Sequence, residues 1–557
     1  MKKIILLSAS CFMVMVIKAQ LYIDNATFFI QSGATVTVQG DVTSNVDIQG
    51  PGLLQLKGSS NQNVNMNGFT IPNLEMDNTA NATLLGHARI GSSMLFTNGR
   101  IQLGTFNMTI ASTATITGHN SSRFFITNNT GNLVRQSLTA AFTYPVGFST
   151  TEYNPVTITN AGTSDDYSVR CLQNVLANGT SGATLTTNFA GNTWVISEAV
   201  GGGGNLSLTN EWAVGDELAG FNRLKSGIAR FNTGTDWDLP ASNVLAAAGA
   251  GPYTRSRSSI TNSIPSGTPG VFAVGDLDQV NRANLNLKVF LSGPYSGGVM
   301  GDGLRTGAVI PLTQPYSSAL NAFFTRVGVY DGSATVNETI PNLGVLDVVG
   351  TNDDIVDWIY LSLQDGTTPA TKLQTRAALV QRDGDIVEYD PVGATYIPVR
   401  MPIDADANYH LVVGHRNHLP IRTPVSQLLQ DGVTFAYNFT TAQAQAYQDP
   451  VVLALPSPNN NNAMRDVSGV FVMWGGNGNS NGTVRASGPL AQNDYLFLIS
   501  TTLGNDVNLI LSPVYHTADY NMNSVTRASG PLAQNDYLFL ISTMLGNNVN
   551  RIITQHQ

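Results

Sequence analysis

The feature that most constrains this chain is an identical repeat near its C-terminus. Seventeen residues, RASGPLAQNDYLFLIST, occupy positions 485–501 and recur at 527–543, an offset of 42 residues. Identical segments of this length favour the same local structure twice. Residues 465–557 are therefore predicted to hold two equivalent units whose apolar faces pack against each other.

Each copy predicts an Asn-rich loop followed by a short apolar helix, around residues 495–503 in the first copy and 537–545 in the second. Asn493 and Asn535 stand just before these helices, where an Asn side chain can cap the free N–H groups. A glycine follows each helix at the C′ position, a common helix stop. The repeat is thus predicted to be a small α-helical module.

The first nineteen residues have the pattern of a secretory signal peptide. Lys2 and Lys3 precede an apolar stretch, and Ala19 offers a small residue for cleavage. Cys11 lies inside the apolar stretch without the Leu of a lipoprotein signal, so cleavage near Ala19 is favoured over lipidation. No later segment has the roughly 18 apolar residues of a spanning helix. The sequence predicts an exported protein without a transmembrane segment, extracellular or at the outer cell surface, with the periplasm as the alternative.

Composition excludes several classes of partner and structure. Loss of the three lysines of residues 1–19 takes the formal charge from −9 to −12, which disfavours nucleic acid as a partner. Cys171 is then the one remaining cysteine, so an internal disulfide is excluded. Charged residues make up 12% of the chain, against about 25% in typical domains, and Gly, Asn, Thr and Ser replace them. This composition is typical of turn-rich β structure.

Short apolar segments separated by Gly and Asn predict an all-β, multidomain protein. The segments in 20–135 are shortest, which favours a β-solenoid over a sandwich. Residues 136–277 and 283–455 carry longer segments and predict two β-sandwich-like domains. A Pro- and Asn-rich stretch at 456–464 is predicted to be a linker to the repeats at 465–557.

The tryptophans between 136 and 277 are interpreted as core anchors, with a sugar-binding platform as the alternative, because buried Trp dominates sandwich cores. They are Trp194, Trp212 and Trp237. Cys171 is likewise predicted to be a core thiol and not a nucleophile.

Several blocks, WIYLSL, LVVGHRNHLPI and FAYNFTTAQAQAYQ, together with the terminal duplication, resemble a module of large secreted surface proteins of the Bacteroidetes that are labelled adhesin- or haemagglutinin-like. The resemblance covers residues 283–555 well and the earlier part more loosely. It implies a non-catalytic surface or extracellular-matrix protein, an adhesin-like scaffold. The implied partner is an unidentified protein or glycan at the cell surface.

The repeats are also similar to a dockerin, a pair of calcium loop–helix units that docks a protein onto a partner. The calcium ligands that this similarity implies are Asp519, Asn521, Asn523 and Asp536 in the second copy and Asn477, Asn479, Asn481 and Asp494 in the first. Both copies depart from the pattern at the twelfth loop position, where Gly488 and Gly530 replace an acidic ligand. The nearest carboxylates arrive six residues later, so each loop must bulge. The alternative is a pair of plain turns closed by Asn side chains.

His410, His415 and His418 lie close together in the sequence. On one extended strand His415 and His418 point to opposite faces, because their separation is odd, so a structural role is favoured over a zinc site.

Motifs of the common hydrolases, such as Gly-x-Ser-x-Gly and His-Glu-x-x-His, are not found in the sequence. The sequence therefore predicts no catalytic residue and no cofactor other than calcium. The alternative function is a secreted carbohydrate-active enzyme or an accessory carbohydrate-binding protein delivered by the dockerin-like tail. That alternative requires a concave acidic site, which distinguishes it from a scaffold.

Overall fold

A computed structural model describes residues 20–231, 237–261, 264, 267–316, 324–331, 338–348 and 351–557. The predicted signal peptide, residues 1–19, lies outside these residues. The chain is mostly β and divides into two units. The first comprises Met1–Leu239 and Ala246–Gln279, and the second comprises Pro240–Leu245 and Val280–Gln557.

The first unit contains a β-solenoid-like region, as the short segments predict. One of its faces is a sheet of seven parallel strands: Leu21–Ile23, Val42–Ser44, Gln62–Asn65, Ala82–Leu84, Ile101–Gln102, Phe125–Ile126 and Val146–Gly147. Val42, Val64 and Leu84 stand in register on successive coils, and all three are buried. Like residues thus stack along the interior of the solenoid, although the coil length is too irregular for a strict sequence repeat.

The opposite face belongs to a twelve-stranded sheet. Its parallel part comprises Thr35–Val38, Leu53–Gly58, Thr70–Asn78, Ala88–Asn98, Met108–Ile110, Thr115–Thr117 and Leu133–Leu138. Its antiparallel part comprises Asp165–Gln173, Asn192–Glu198, Ser226–Phe231, Trp237–Asp238 and Gly270–Asp276.

The predicted boundary between residues 135 and 136 falls inside the strand Leu133–Leu138. This strand pairs in parallel with Met108–Ile110 on one side and antiparallel with Asp165–Gln173 on the other. The boundary is therefore not a domain boundary, because backbone hydrogen bonding continues from the solenoid into the following sheet.

A four-stranded antiparallel sheet completes the core of this unit, with strands Phe142–Tyr144, Val156–Asn160, Leu206–Trp212 and Tyr253–Ile260. Side chains of this sheet and of the larger sheet join one apolar cluster. Trp194 and Trp212 are fully buried, and Trp237 is nearly so, which confirms their prediction as core anchors. Cys171 is buried in the same cluster. This unit also contains two short strand pairs, Phe28–Phe29 with Ile48–Gln49 and Val175–Leu176 with Thr184–Leu185.

The second unit is built on one nine-stranded mixed sheet. Its strands are Arg282–Lys288, Ile355–Asp365, Lys372–Gln381, Asp385–Asp390, Thr395–Pro402, Ala407–His415, His418–Arg422, Gln427–Leu429 and Thr434–Asn438. Residues 283–455 are predicted by sequence to form a β-sandwich-like domain, but these strands belong to one hydrogen-bonded sheet. In Ile355–Asp365 every residue except the last is buried, so both faces of this strand are covered.

Short elements surround these sheets. Two ribbons of the second unit pair Tyr295–Ser296 with Val299–Met300 and Met464–Val467 with Val470–Met473. Among the described residues outside the repeats, the short helices are Val214–Asp216, Arg223–Lys225, Ala241–Asn243, Leu277–Gln279, Gly303–Thr306, Gly328–Tyr330, Leu343–Leu346, Phe439–Thr441, Gln443–Gln445 and Pro450–Leu453. Within the described residues, none of the helices has the length and apolar character needed to cross a membrane.

The predicted linker at 456–464 does not separate the sheet from the repeats. Asn459 accepts a hydrogen bond from the N–H of Ile552 at 2.8 Å, and Asn461 accepts one from Thr554 at 2.9 Å. Asn461 is 2% exposed. Two Asn side chains of this largely exposed stretch therefore tie it to the last strand, Ile552–Thr554.

Candidate functional site

The two C-terminal copies complete each other by exchanging strands. Thr483–Arg485 of the first copy pairs with Ile552–Thr554, which follows the second helix. Ile510–Leu511, which follows the first helix, pairs with Thr526–Arg527 of the second copy. The two pairings are equivalent under the 42-residue offset. The repeat is therefore a pseudo-symmetric pair, as the duplication predicts.

The helices form where the sequence predicts them. Each begins with an α-helical turn, Asp494–Leu496 or Asp536–Leu538, and continues through wider turns, Phe497–Thr502 or Phe539–Met544. A further short helix precedes each of them, Leu490–Gln492 and Leu532–Gln534.

Both ends of these helices match the predicted caps. The side chains of Asn493 and Asn535 each accept a hydrogen bond from a backbone N–H at 3.0 Å. Gly504 and Gly546 follow the helices with φ of 59° and 64°. The ring centroids of Tyr495 and Tyr537, equivalent residues of the two copies, lie 5.1 Å apart. The module is nevertheless not wholly helical, because the two exchanged ribbons hold it together.

In the first copy the late carboxylate folds back onto the Asn-rich loop. Asp494 is fully buried and accepts hydrogen bonds from the N–H groups of Gly478 and Arg485, both at 3.0 Å. Asn477 and Asn479 each accept a hydrogen bond from the N–H of Asn481. Asp494 thus lies against the loop backbone, and burial raises the pKa of Asp494 well above its usual value.

The second copy repeats this geometry with one more carboxylate. Asp536 accepts hydrogen bonds from the N–H groups of Tyr520 at 2.7 Å and Arg527 at 2.9 Å. Asp519, which stands where the first copy has Asn477, accepts from Asn523 at 3.1 Å and Ser524 at 2.9 Å.

The second copy therefore buries two neighbouring carboxylates, whereas the first copy buries one. Burial raises the pKa of Asp519 to about 7, against the opposing effect of Arg416. The pKa of Asp536 is raised by burial and then by the charge of Asp519. Two buried carboxylates close enough to repel each other are a place where a cation is stabilised.

The predicted amide ligands contact these carboxylates through their backbone, since the N–H of Asn521 donates to Asp536 at 3.3 Å and the N–H of Asn523 donates to Asp519. The side-chain oxygen and nitrogen of Asn521 are buried and have no hydrogen-bond partner among the described residues. Asn523 accepts a hydrogen bond from Val525, so it also closes a turn. Across the described residues, no three His, Cys, Asp or Glu side chains converge on one metal position. A calcium ion here would take two carboxylates and complete its shell with amide and backbone oxygens.

A hairpin of the nine-stranded sheet, formed by the strands Ala407–His415 and His418–Arg422, is hydrogen-bonded to the loops of both copies. The side-chain amide of Asn417 donates to the carbonyl of Asp519 at 2.8 Å, and Arg416 donates to the carbonyl of His516. On the other side, the N–H of Asn477 donates to the carbonyl of Asn417 at 3.0 Å. The geometry of the repeat loops therefore depends on the two residues at the tip of this hairpin.

A buried carboxylate holds the hairpin in place. Asp357 is fully buried and accepts hydrogen bonds from Nε of Arg416 at 2.9 Å and from the hydroxyl of Tyr515 at 2.8 Å. Nε2 of His415 lies 3.0 Å from the same carboxylate. Burial alone would raise the pKa of Asp357, but Arg416 and His415 hold it below its usual value. The carboxylate therefore stays ionised and neutralises Arg416.

The prediction that His415 and His418 face opposite ways is wrong. The chain reverses at Arg416 and Asn417, so the two histidines are paired across a hairpin, with their Nδ1 atoms 3.0 Å apart. The odd–even rule holds along one strand and fails across a turn. Burial lowers the pKa of both imidazoles. His410 lies elsewhere on the strand, with Nδ1 3.2 Å from the carbonyl of Thr423.

The other candidate site is a cleft in the first unit. It is a cleft of about 670 Å³ whose lining includes His119, Glu152, Tyr153, Glu211, Val214 and Pro252. The hydroxyl of Tyr153 lies 2.8 Å from Nδ1 of His119. Asp216, behind Glu152, accepts hydrogen bonds from Asn154 at 2.8 Å and from the N–H of Ala213 at 2.9 Å.

No match was found when the chain was compared with protein-family models, with curated proteins and with solved structures. Similarity to a known protein therefore supplies no function for this chain.

Sequence reasoning missed Asp357, Arg416 and Tyr515 as the support of the repeat loops, and it missed the cleft. One signal was available for Asp357, a single acid in the apolar run IVDWIYL. A carboxylate in a strand buried on both faces requires a buried cationic or hydrogen-bonding partner. The identity of the partner was not readable, because Tyr515 lies 158 residues further along the chain.

Proposed function

We propose that this protein is an exported, non-catalytic, adhesin-like surface or matrix scaffold, and that its C-terminal repeat pair is a dockerin-like docking module ordered by calcium. The observation that carries the proposal is the duplicated exposed loop. Residues 488–492 and 530–534, with the same sequence GPLAQ, are exposed at equivalent positions of the pair. Leu490 is 50% exposed and Leu532 is 52% exposed.

The repeat pair therefore exposes the same apolar loop twice, at equivalent positions of its two copies. The proposed docking surfaces are residues 485–490 and the equivalent residues 527–532, which overlap these loops. Arg485 and Arg527 bond inside their own loops, at 3.1 Å to Gln492 and 3.4 Å to Gln534, and so help to shape them. The partner would be a protein or glycan at the cell surface.

Calcium would be held mainly in the second copy, by Asp519 and Asp536 with Asn521 and Asn523. Asn477, Asn479, Asn481 and Asp494 would form the weaker equivalent site in the first copy. The ion would neutralise the buried acid pair and accept the orphaned Asn521 oxygen as a ligand. Affinity follows ligand charge, so the second site should dominate.

Calcium should stabilise the second unit of the full mature chain, residues 20–557. At a calcium concentration a hundredfold above Kd the gain is about 2.7 kcal/mol. Thermal unfolding and calorimetric titration measure it. Asp519→Asn should remove most of the effect, because it gives the second copy the residue of the first. Asn477→Asp makes the reverse change in the first copy and should strengthen calcium binding there.

A calcium effect that survives Asp519→Asn would rule out the proposed ligand. No effect at millimolar calcium would mean that both loops are plain turns closed by their Asn side chains.

The second candidate function, a secreted carbohydrate-active enzyme or an accessory carbohydrate-binding protein, is favoured by one observation, the acidic cleft of the first unit. Our proposal predicts that the mature protein releases no reducing sugar from plant or host polysaccharides. Sugar release that Glu211→Gln abolishes would replace the scaffold proposal with this alternative. Asp24→Asn, which changes an exposed acid elsewhere in the same unit, is the matched control.

A further inference from the structure

We propose that the cleft of the first unit binds an organic cation, an ammonium or guanidinium group carried on an apolar stem. The inference does not depend on the repeats or on calcium, since it rests on residues of the first unit alone. It assigns a ligand-binding site to the part of the chain for which the sequence predicts structural roles only.

The shape of the cleft fits such a stem. Its volume, about 670 Å³, lies within the range of small-molecule pockets, roughly 300–1,000 Å³. Its apolar lining includes Tyr153, Val214 and Pro252. Val214 is 54% exposed although it lies in a concave site, so its side chain offers uncovered apolar surface to a ligand. The aromatic ring of Tyr153 is a further favourable neighbour for a cation.

The charge of the cleft is negative and is not compensated from within. Glu211 has neither a hydrogen-bond donor nor an ion-pair partner for its carboxylate in the described part of the chain. Glu152 accepts a hydrogen bond from the hydroxyl of Thr151 at 3.2 Å, and burial together with the charge of Glu152 raises the pKa of Asp216. Among the described lining residues there is no lysine or arginine. The missing counter-charge is therefore one that a ligand can supply.

The titratable groups around the cleft agree with this assignment. Burial raises the pKa of Glu211, and burial followed by the charge of Glu152 raises the pKa of Asp216 to about 6. A cation bound in the cleft favours the ionised form of both carboxylates and so lowers both pKa values. Burial lowers the pKa of His119, so its imidazole is neutral at pH 7 and does not offset the carboxylates.

Other ligand classes fit less well. An anionic ligand, such as a sulfated or uronic acid-rich glycan, is repelled by the carboxylates. A neutral sugar can donate hydroxyl hydrogen bonds to Glu152 and Glu211 but leaves their charge unneutralised.

The test uses the mature chain and matched pairs of probes that differ in one charge. Nα-acetyl-lysine amide is compared with its Nε-acetylated form, and glucosamine with N-acetylglucosamine, by calorimetry or NMR titration at pH 7.5. We expect each cationic probe that binds to do so about tenfold or more tightly than its neutral counterpart. Glu211→Gln should lose this preference, whereas Asp24→Asn should keep it.

The two pairs also identify the source of the cation. Binding of the lysine probe alone indicates a basic side chain of a partner protein. Binding of glucosamine alone would overturn the proposal, because the ammonium group of an amino sugar lies on a hydroxylated ring and not on an apolar stem. Binding of both indicates recognition of the ammonium group itself. Equal affinity for charged and neutral probes, an unchanged preference in Glu211→Gln, or no binding of either cation at millimolar concentration would each overturn the proposal. Unchanged thermal unfolding of Glu211→Gln confirms that any loss is local.

Discussion

Replacing Asp357 by Ala should destabilise the second unit by about 3–5 kcal/mol, the usual cost of removing one partner of a buried ion pair. The substitution leaves the guanidinium of Arg416 buried without its anion and removes the acceptor of the Tyr515 hydroxyl. Urea unfolding of the full mature chain measures the loss. The first unit serves as an internal reference, because the substitution lies outside it.

Two further variants separate the contributions at this position. Tyr515→Phe removes one hydrogen bond to Asp357 and should cost about 1 kcal/mol. Asp383→Ala, in the same unit but partly exposed and paired with Lys288 near the surface, should cost at most about 1 kcal/mol. If Asp357→Ala unfolds at the same urea concentration as the parent, the proposed support of the hairpin is wrong.

Replacing Trp358 by Ala should also cost about 3–5 kcal/mol, the usual range for a buried aromatic residue. Trp358 is 2% exposed, and its indole N–H donates to the carbonyl of Pro311 at 2.8 Å. The variant loses both the packed ring and this hydrogen bond. Thermal or urea unfolding of the second unit measures the effect.

The matched control for Trp358→Ala is Val392→Ala, at a position that is 94% exposed, and it should leave stability unchanged. Trp358→Phe keeps an aromatic ring and should cost less than the Ala variant. An unchanged unfolding transition in Trp358→Ala would mean that the ring is accessible, and would favour a role for Trp358 in ligand binding.

Local features of this chain follow from its sequence because neighbouring residues decide them. Asn493 and Asn535 cap their helices since an Asn side chain reaches the N–H groups of the next turn. Gly504 and Gly546 end the helices because glycine accepts a positive φ without strain. The short apolar segments of the solenoid predict its coils for the same reason, although two of its strands, Thr70–Asn78 and Ala88–Asn98, extend to nine and eleven residues.

Tertiary structure alone decided which segments meet. The strand Leu133–Leu138 joins two predicted domains because its free edge pairs with a strand that starts 27 residues beyond it. The exchange of strands between the repeats could not be predicted from the sequence either. The backbone N–H and C=O groups of Thr483–Arg485 could pair with the strand of its own copy as well as with Ile552–Thr554 of the other.

The candidate sites likewise depend partly on local sequence and partly on tertiary structure. The sequence determined the ligand-like spacing of Asp519, Asn521 and Asn523, and the extra carboxylate that distinguishes the second copy from the first. It did not determine that a turn at Arg416 and Asn417 would carry these loops, nor that Glu152 and Glu211 would line one cleft. Side-chain spacing is fixed by the local backbone, whereas convergence of distant residues depends on how the sheets pack and pair across the whole unit.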